Sequence, residues 1–155
     1  MKEYEVVGKS VERKDGRVKV TGKARYAGDL LAPGMLHGKI LRSTLAHAKI
    51  LNIDTSRAEA LPGVMGIVTG KDFQGKPYGV RPDTRDQLPM PITKVHHFAE
   101  GVAAVAAIDE DTAEEALDLI EVDYEELPVL LTAEDALSPD APPVNEFKKT
   151  NLAYS

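Results

Sequence analysis

The chain has 155 residues, 43% hydrophobic and 28% charged, which is the composition of one soluble globular domain. It contains no cysteine, which excludes disulfides, thiolate catalysis and cysteine-ligated zinc or iron–sulfur clusters on this chain. A net charge of −6 with scattered basic residues argues against a nucleic-acid partner, and no apolar run is long enough to span a membrane. The first residues lack the apolar core of a signal peptide, which favours the cytoplasm.

The first half of the chain predicts short strands separated by turns. Residues 6–27 combine short apolar stretches with three glycines, which indicates an irregular start with short strands. Period-two apolar residues predict strands over 35–42 and 48–53, and a β-branched run predicts a buried strand over 64–69. Between the last two, Asp54 is expected to cap a short helix that a Pro-Gly pair ends.

A long loop is predicted over residues 75–91, which hold four prolines and two glycines and show no sustained periodicity. Two strands, 95–98 and 102–108, are predicted to pair with each other around the Glu100-Gly101 step. These features place the long loop directly before the most regular part of the chain.

A helix is predicted after Asp109, because apolar residues recur at i, i+3, i+4 and i+7 and acidic residues lie at its N-terminus. A strand through Val122 and Tyr124 follows, giving a β-α-β order, and Thr132 begins a last short helix. The sequence thus predicts an α+β fold in which a mixed sheet is combined with a few short helices.

No catalytic or metal-binding pattern is complete. The glycine spacing of a phosphate-binding loop or of a dinucleotide-binding turn does not occur. His96 and His97 are adjacent on a predicted strand and point to opposite faces, which disfavours joint binding of one metal ion. The acidic residues between 118 and 126 are interpreted as solvated surface. No catalytic, cofactor-binding or metal-binding residue is assigned, although a small enzyme acting through His96 or His97 remains an alternative.

Several short motifs occur together between about Val7 and Leu137. They are Val7-Gly-Lys-Ser-Val11, Lys19-Val-Thr-Gly-Lys-Ala-Arg-Tyr26, Gly38-Lys-Ile-Leu-Arg-Ser43, Leu61-Pro-Gly-Val64, Val102-Ala-Ala-Val-Ala-Ala107 and Ile120-Glu-Val-Asp-Tyr124. Together they resemble the N-terminal α/β hammerhead domain of the molybdenum-binding large subunit in the xanthine dehydrogenase and aldehyde oxidase family. The segment Pro77-Tyr-Gly-Val80 is most similar to the branch that includes 4-hydroxybenzoyl-CoA reductase.

The resemblance implies a part of an oxidoreductase in which molybdopterin performs the substrate chemistry, iron–sulfur clusters relay electrons and a flavin often completes the chain. In the family, the molybdopterin-binding loops and the catalytic glutamate belong to domains downstream of this one. The expected partners are therefore the molybdopterin-binding catalytic domains or subunit, an iron–sulfur subunit and a flavin subunit. No cofactor is expected on this chain, and it is not expected to be catalytic alone.

The resemblance also implies a domain organisation and a contact. Residues 1–137 are expected to form the hammerhead domain, and the proline-rich residues 138–155 an extended tail or a connection to catalytic domains. In the 75–91 loop, Tyr78 and Arg81 are the candidates for lining a substrate approach or an interface; the alternative is a surface loop that touches no ligand. A free-standing scaffold or binding protein that has kept the fold without activity is the second interpretation of the whole chain.

Overall fold

The computed structural model describes residues 4–73, 77–79 and 85–152. Contacts between Cα atoms divide the chain into two units, Met1–Met35 and Leu36–Ser155.

The first unit contains one short helix, α1 (Gly16–Val20), and a 3-10 turn at Ala27–Asp29. The prediction of short strands within 6–27 is wrong. Its backbone groups bond locally instead: the Thr21 N–H donates to the Arg17 carbonyl at 3.1 Å, and the Lys23 N–H donates to the Val18 carbonyl at 2.8 Å. A strand needs a hydrogen-bonded neighbour, and residues 4–35 contain none, so short-range bonding prevails.

Within the described ranges, the second unit has a 3-10 turn at Gly70–Phe73 and, in addition, six strands and three α-helices. They are β1 (His37–Arg42), β2 (Ala48–Asp54), α2 (Ser56–Glu59), β3 (Val64–Thr69), β4 (Lys94–Val95), β5 (Gly101–Ala107), α3 (Glu110–Asp118), β6 (Glu121–Glu126) and α4 (Ala133–Ala136). The strands form two three-stranded sheets with the orders β1-β5-β3 and β4-β2-β6. All of their pairings are antiparallel. The predicted α+β class with a few short helices is confirmed.

Helices α3 and α4 begin after Asp109 and Thr132, as the sequence predicts, whereas the N-cap of α2 is Thr55 and not the predicted Asp54. The Asp109 carboxylate accepts the Thr112 N–H at 2.7 Å, which satisfies an orphan donor at the start of α3. Thr132 does the same for α4, because its hydroxyl accepts the Asp135 N–H at 3.1 Å. After α2 the chain turns at Gly63, whose φ of +98° lies in the region that favours glycine.

Two groups of buried side chains form the core of the second unit. The first lies between the β1-β5-β3 sheet and helices α2 and α3, and its buried members are Ala58, Ala103, Val105, Ala116 and Ile120. The second lies between the two sheets and comprises Ala48, Val95 and Val102. The many alanines allow α3 to pack closely on β5, and each fully buried valine stabilises the fold by about 1.5–3 kcal/mol.

The predicted pairing of 95–98 with 102–108 is wrong. Strand β4 is only two residues long and pairs with β2, placing Val95 opposite Ala48. Strand β5 is already bonded on both edges, to β1 and to β3, so no edge remains for a preceding hairpin partner. The β-α-β order of β5, α3 and β6 is confirmed along the chain, but its two strands lie in different sheets.

Residues 138–152 have no regular secondary structure, yet they make specific hydrogen bonds. The Asn151 amide donates to the Ala136 and Pro142 carbonyls, both at 3.0 Å, and its oxygen accepts the Val144 N–H at 2.8 Å. A domain boundary at Leu137 stays a prediction. Among the residues that the structure describes, no helix is long and apolar enough to cross a bilayer.

Candidate functional site

A cleft of about 460 Å³ lies in the second unit, between the turn that joins β4 to β5, the end of the long loop and the segment around Asn145. Its polar wall includes one guanidinium, two imidazoles and two carboxylates. The residues that line it are Arg42, Tyr78, Asp86, Gln87, Leu88, Pro89, His96, His97, Ala99, Glu100, Gly101 and Asn145. The cleft therefore combines parts of the chain that are more than 100 residues apart.

The turn between β4 and β5 is held to the end of β1 by three hydrogen bonds. The Ser43 N–H donates to the Glu100 carbonyl at 2.8 Å, and the Ala99 N–H donates to the Ser43 carbonyl at 3.0 Å. Arg42 Nη1 donates to the Ala99 carbonyl at 2.9 Å. Ala99 has a φ of +62°, a conformation that costs an alanine free energy and that these bonds help to maintain. These hydrogen bonds fix the backbone conformation on this side of the cleft.

His96 lies between two carboxylates at the base of this turn. Its Nδ1 is 3.2 Å from both Glu100 oxygens, and its backbone N–H donates to Glu100 Oε2 at 2.6 Å. Its Nε2 is 2.5 Å from Glu146 Oε2. Because ionised carboxylates only accept hydrogen bonds, this arrangement favours the imidazolium form of His96, with a proton on each ring nitrogen.

The electrostatics agree with this assignment. Burial alone lowers the pKa of His96, but its hydrogen bonds to Glu100 and Glu146 outweigh burial, so the pKa lies above its ordinary value. Burial raises the pKa of each glutamate, yet the bonds to His96 bring both pKa values below the ordinary range. With both N–H groups committed, His96 has no lone pair to bind a metal or accept a proton. Through its hydrogen bonds, His96 connects Glu146 to the turn between β4 and β5.

Tyr78, one of the two residues predicted to make a functional contact, lines the cleft. Its backbone forms an isolated antiparallel bridge with Gln87, in which the Tyr78 N–H donates to the Gln87 carbonyl at 2.7 Å. Tyr78 is 53% exposed, so about half of the residue's surface is available to another molecule. Arg81, the second predicted residue, lies outside the described residues.

The other histidines have different surroundings. His97 is exposed, and its Nδ1 lies 3.0 Å from the Phe98 carbonyl. His47 is buried and its Nδ1 donates to the Pro128 carbonyl at 2.7 Å, while its Nε2 has no hydrogen-bond partner. Within residues 4–73, 77–79 and 85–152, no three His, Asp or Glu side chains are grouped so that they could hold a metal ion.

The acidic residues between 118 and 126 lie on exposed surface, as the sequence indicates. Glu121 pairs with Arg57 at 2.9 Å and Glu125 pairs with Lys49 at 2.7 Å, and all four side chains are more than half exposed. Exposed pairs of this kind contribute about 0–1 kcal/mol each. This cluster has the geometry of solvated ion pairs across neighbouring elements, without the buried carboxylate that acid–base work requires.

Sequence reasoning missed the groups around His96. The i,i+4 spacing of His96 and Glu100 is a usable signal, because the turn between them can bring such a pair together. Glu146 and Asn145 carry no comparable signal, since they lie in a proline-rich segment without periodicity. Asn145 Nδ2 donates to the Asp86 carbonyl at 2.9 Å, which joins this segment to the end of the long loop.

The family model described as "Aldehyde oxidase and xanthine dehydrogenase, a/b hammerhead domain" matches residues 21–128. A probable xanthine dehydrogenase component from Bacillus subtilis is 44% identical over 135 residues, which cover 86% of this chain and 18% of the relative. A nicotinate dehydrogenase large molybdopterin subunit from Eubacterium barkeri is 37% identical over 145 residues, covering 93% of this chain and 34% of the relative.

A solved structure of aldehyde oxidoreductase from Desulfovibrio gigas has the same fold, with a TM-score of 0.78 and 32% identity. The similarity covers 86% of this chain but 16% of that one. The chain therefore spans between about a sixth and a third of the length of these relatives.

Proposed function

Because the chain belongs to the aldehyde oxidase and xanthine dehydrogenase family, in which its residues 21–128 form the a/b hammerhead domain, we propose that it is a non-catalytic part of a molybdopterin-dependent oxidoreductase. In this role it packs against molybdenum-binding catalytic domains, which either continue the same polypeptide or belong to a separate subunit. The observation that carries the proposal is the match over most of this chain and a minor share of each relative.

The described side chains do not fit a molybdenum cofactor on this chain. In the part of the chain that the structure describes, no three His, Asp or Glu side chains are grouped so that they could ligate a metal ion. We therefore derive no step through molybdenum here. In the proposed assembly the cofactor, bound by the catalytic domains, supplies the redox chemistry, and iron–sulfur and flavin groups are carried by other subunits.

The cleft is proposed to contribute to the approach of substrate, or to the contact with the catalytic domains, through Tyr78. Tyr78 is about half exposed, while the neighbouring wall is held by the Arg42 hydrogen bond and by the ion pairs of His96. An exposed aromatic ring on a rigid wall is suited to contacts with a flat organic molecule or an apolar side chain.

The substrate stays open within the family. The relatives are named for xanthine, nicotinate and aldehydes, so a place in the 4-hydroxybenzoyl-CoA reductase branch remains a prediction. We further propose that the assembly works in the cytoplasm, because a chain without cysteine fits a reducing compartment.

The test uses the whole natural protein that carries this chain, tagged in its own host. Molybdenum, iron and accompanying chains are measured in the purified material by elemental analysis and mass spectrometry. We expect about one molybdenum per chain, together with molybdopterin-binding and iron–sulfur components. A lone, metal-free chain would contradict the proposal and would support a free-standing scaffold instead.

The contribution of Tyr78 is tested in the same assembly with Tyr78→Ala, using Tyr26→Ala as the control at another exposed tyrosine. A lost stacking contact of about 1 kcal/mol corresponds to about a fivefold change. We expect KM to rise about fivefold with kcat unchanged, on whichever of xanthine, nicotinate or an aldehyde the assembly turns over. Equal KM values for Tyr78→Ala and Tyr26→Ala would show that Tyr78 does not contact the substrate.

A further inference from the structure

The β1-β5-β3 sheet has one covered face and one uncovered face. Alternate residues of β5, Ala103 and Val105, pack with α2 and α3 in the first core group. The opposite face carries six residues, of which none is fully buried and the largest are an isoleucine and a valine. We call these six the bare face: Gly38, Ile40, Ala104, Ala106, Gly66 and Val68.

The bare face is apolar. Ile40 and Val68 are 47% and 39% exposed and lie opposite Ala104 from either side. The outward-facing residues of these three strands include a single charged side chain, Arg42, whose guanidinium donates to the Ala99 carbonyl at the edge of the cleft. Sheets that face water usually alternate apolar and polar residues, and this sheet does not.

Two glycines form a shelf across the bare face. Gly38 and Gly66 both pair with Ala106, so one row across all three strands has no side chain larger than a methyl group. A Cβ added at Gly66 would meet nothing within 4 Å, and one added at Gly38 would meet only the Val105 carbonyl at 3.9 Å. Neither glycine has a positive φ.

Gly66 follows the β-bulge at Met65, but neither Gly38 nor Gly66 is required by a left-handed backbone or by a close neighbour within this chain. A glycine inside a strand costs about 0.5–1 kcal/mol relative to alanine. Strand glycines of this kind often lie where another backbone approaches closely. The close neighbour is accordingly expected outside this chain.

We infer that the bare face is the surface against which the molybdenum-binding remainder of the enzyme docks, with a backbone segment lying across the shelf of Gly38, Ala106 and Gly66. The inference rests on the proposed function. Each relative contains about two thirds or more of its length beyond the matched region, so a large body is available to cover this face.

The position of the bare face relative to the cleft supports this occupant. Ile40 lies against Gly101, since a Cβ added at Gly101 would come within 2.9 Å of Ile40 Cγ2. Gly101 itself lines the cleft, and so does Arg42, the next outward residue of β1. A molybdenum-binding part docked on the bare face would therefore reach the rim of the cleft, which is the proposed approach for substrate.

The decisive variant is Gly66→Val, made in the whole natural protein. The space above Gly66 is open, and valine favours strands, so the hammerhead fold should tolerate the change. The added side chain would nevertheless obstruct a backbone on the shelf, and overpacking of an interface costs about 1–3 kcal/mol, or about tenfold in docking. Ala60→Val, at an exposed position beside α2, is the matched control.

Docking is read from the amount of the molybdenum-binding part that remains with the tagged chain. Where both parts share one polypeptide, it is read from limited proteolysis, because an undocked domain is released. We expect about tenfold weaker docking for Gly66→Val and wild-type behaviour for Ala60→Val. Equal docking of both variants would overturn the inference and leave the proposed function intact. A wild-type chain that docks no such body would overturn both.

Methionine oxidation provides a second test that needs no variant. Met65 lies at the β-bulge beside the bare face and is 63% exposed in this chain, whereas Met90 is 8% exposed. In the intact assembly we expect peroxide to oxidise Met65 as slowly as Met90. Rapid oxidation of Met65 in an assembly that retains its molybdenum-binding part would show that the bare face is uncovered. If the chain associates with itself and Gly66→Val blocks this association, the occupant is a second copy of the chain. Either result would overturn the inference.

Discussion

The two units of the chain use apolar residues in opposite ways. In the second unit Val95 and Val102 are fully buried between the two sheets. In the first unit Val20 and Leu31 are 85% and 81% exposed, and none of residues 4–35 is buried. Hydrophobic content alone therefore does not locate a core, because an apolar residue is buried only where a second element is present to cover it.

The difference extends to what stabilises each unit. The second unit combines long-range strand pairing with two buried groups, so its hydrogen bonds and its apolar contacts support each other. The first unit depends on hydrogen bonds between residues close in sequence and on exposed ion pairs. Segments with few buried contacts open at a small fraction of the global free energy of unfolding.

The largest expected effect comes from placing the same charge at a valine of each unit, which tests whether burial distinguishes the two units. Val105→Asp puts a carboxylate into a position that is 2% exposed, and we expect it to lower the free energy of unfolding by more than about 4 kcal/mol. Val20→Asp, at a position that is 85% exposed, should change it by less than about 0.5 kcal/mol. Urea titration followed by circular dichroism measures both. Similar losses would show that Val20 is as important to folding as Val105.

A second comparison uses glycines. A Cβ added at Gly70 would overlap the Pro91 carbonyl oxygen, and the backbone would have to move. We expect Gly70→Ala to destabilise the second unit by about 3 kcal/mol. In the first unit Gly28 has open space around it, so Gly28→Ala should be neutral or stabilise by about 0.5 kcal/mol. Thermal unfolding of the two variants distinguishes them, and a tolerated Gly70→Ala would contradict the close approach to Pro91.

A smaller effect is expected at His96, which connects residues 138–152 to the turn before β5. His96→Gln removes the cation between Glu100 and Glu146 and leaves two carboxylates, 18% and 27% exposed, without their charged partner. We expect a loss of about 1–2 kcal/mol, less than for a fully buried pair because water still reaches these groups. Limited proteolysis should cut near Glu146 faster in this variant, whereas His97→Gln, at an exposed neighbour, should behave as wild type.

The same ion pairs predict a pH profile. The pKa of His96 is raised, so its stabilising effect is complete below the ordinary histidine value of 6.5 and is lost as pH rises through the folded value. The pKa values of Glu100 and Glu146 are lowered, so theirs is present above 4.5 and lost as pH falls through the folded values. We expect the urea midpoint to be highest between these limits and to decline on both sides. His96→Gln should remove the decline on the alkaline side, and an unchanged decline there would assign it to another group.

Strong local patterns allowed much of the second unit to be predicted. The i, i+3, i+4, i+7 spacing after Asp109 identifies α3, and alternation identifies β1 and β2, because one buried face forces that periodicity. A β-branched run identifies β3, although none of its residues is buried as predicted. The predictions failed where strand pairing depends on residues that are distant in sequence but adjacent in space. Nothing local shows that Val95 pairs with Ala48, or that both edges of β5 are occupied.

The cleft could be predicted only in part. The sequence singles out Tyr78 because a long proline-rich loop inside a compact domain often has a function, and its contact with a substrate or partner stays a prediction. The partnership of His96 with Glu146 spans 50 residues and depends on the path of a segment without periodicity, which no spacing rule reveals. The bare face could not be predicted from the sequence either, because only the strand pairing places both Gly38 and Gly66 beside Ala106.

The smallest expected effect concerns the ion pairs of the first unit. Asp15 pairs with Lys19 at 2.5 Å and with Arg13 at 3.1 Å, and its side chain is 47% exposed. Exposed pairs of this kind contribute about 0.3–0.5 kcal/mol, mostly to the local helix. Asp15→Ala should therefore speed amide exchange within α1 while leaving exchange in β5 unchanged, as measured by hydrogen–deuterium exchange. A changed rate in β5 would require the two units to stabilise each other, whereas a change confined to α1 means that the first unit opens independently of the core.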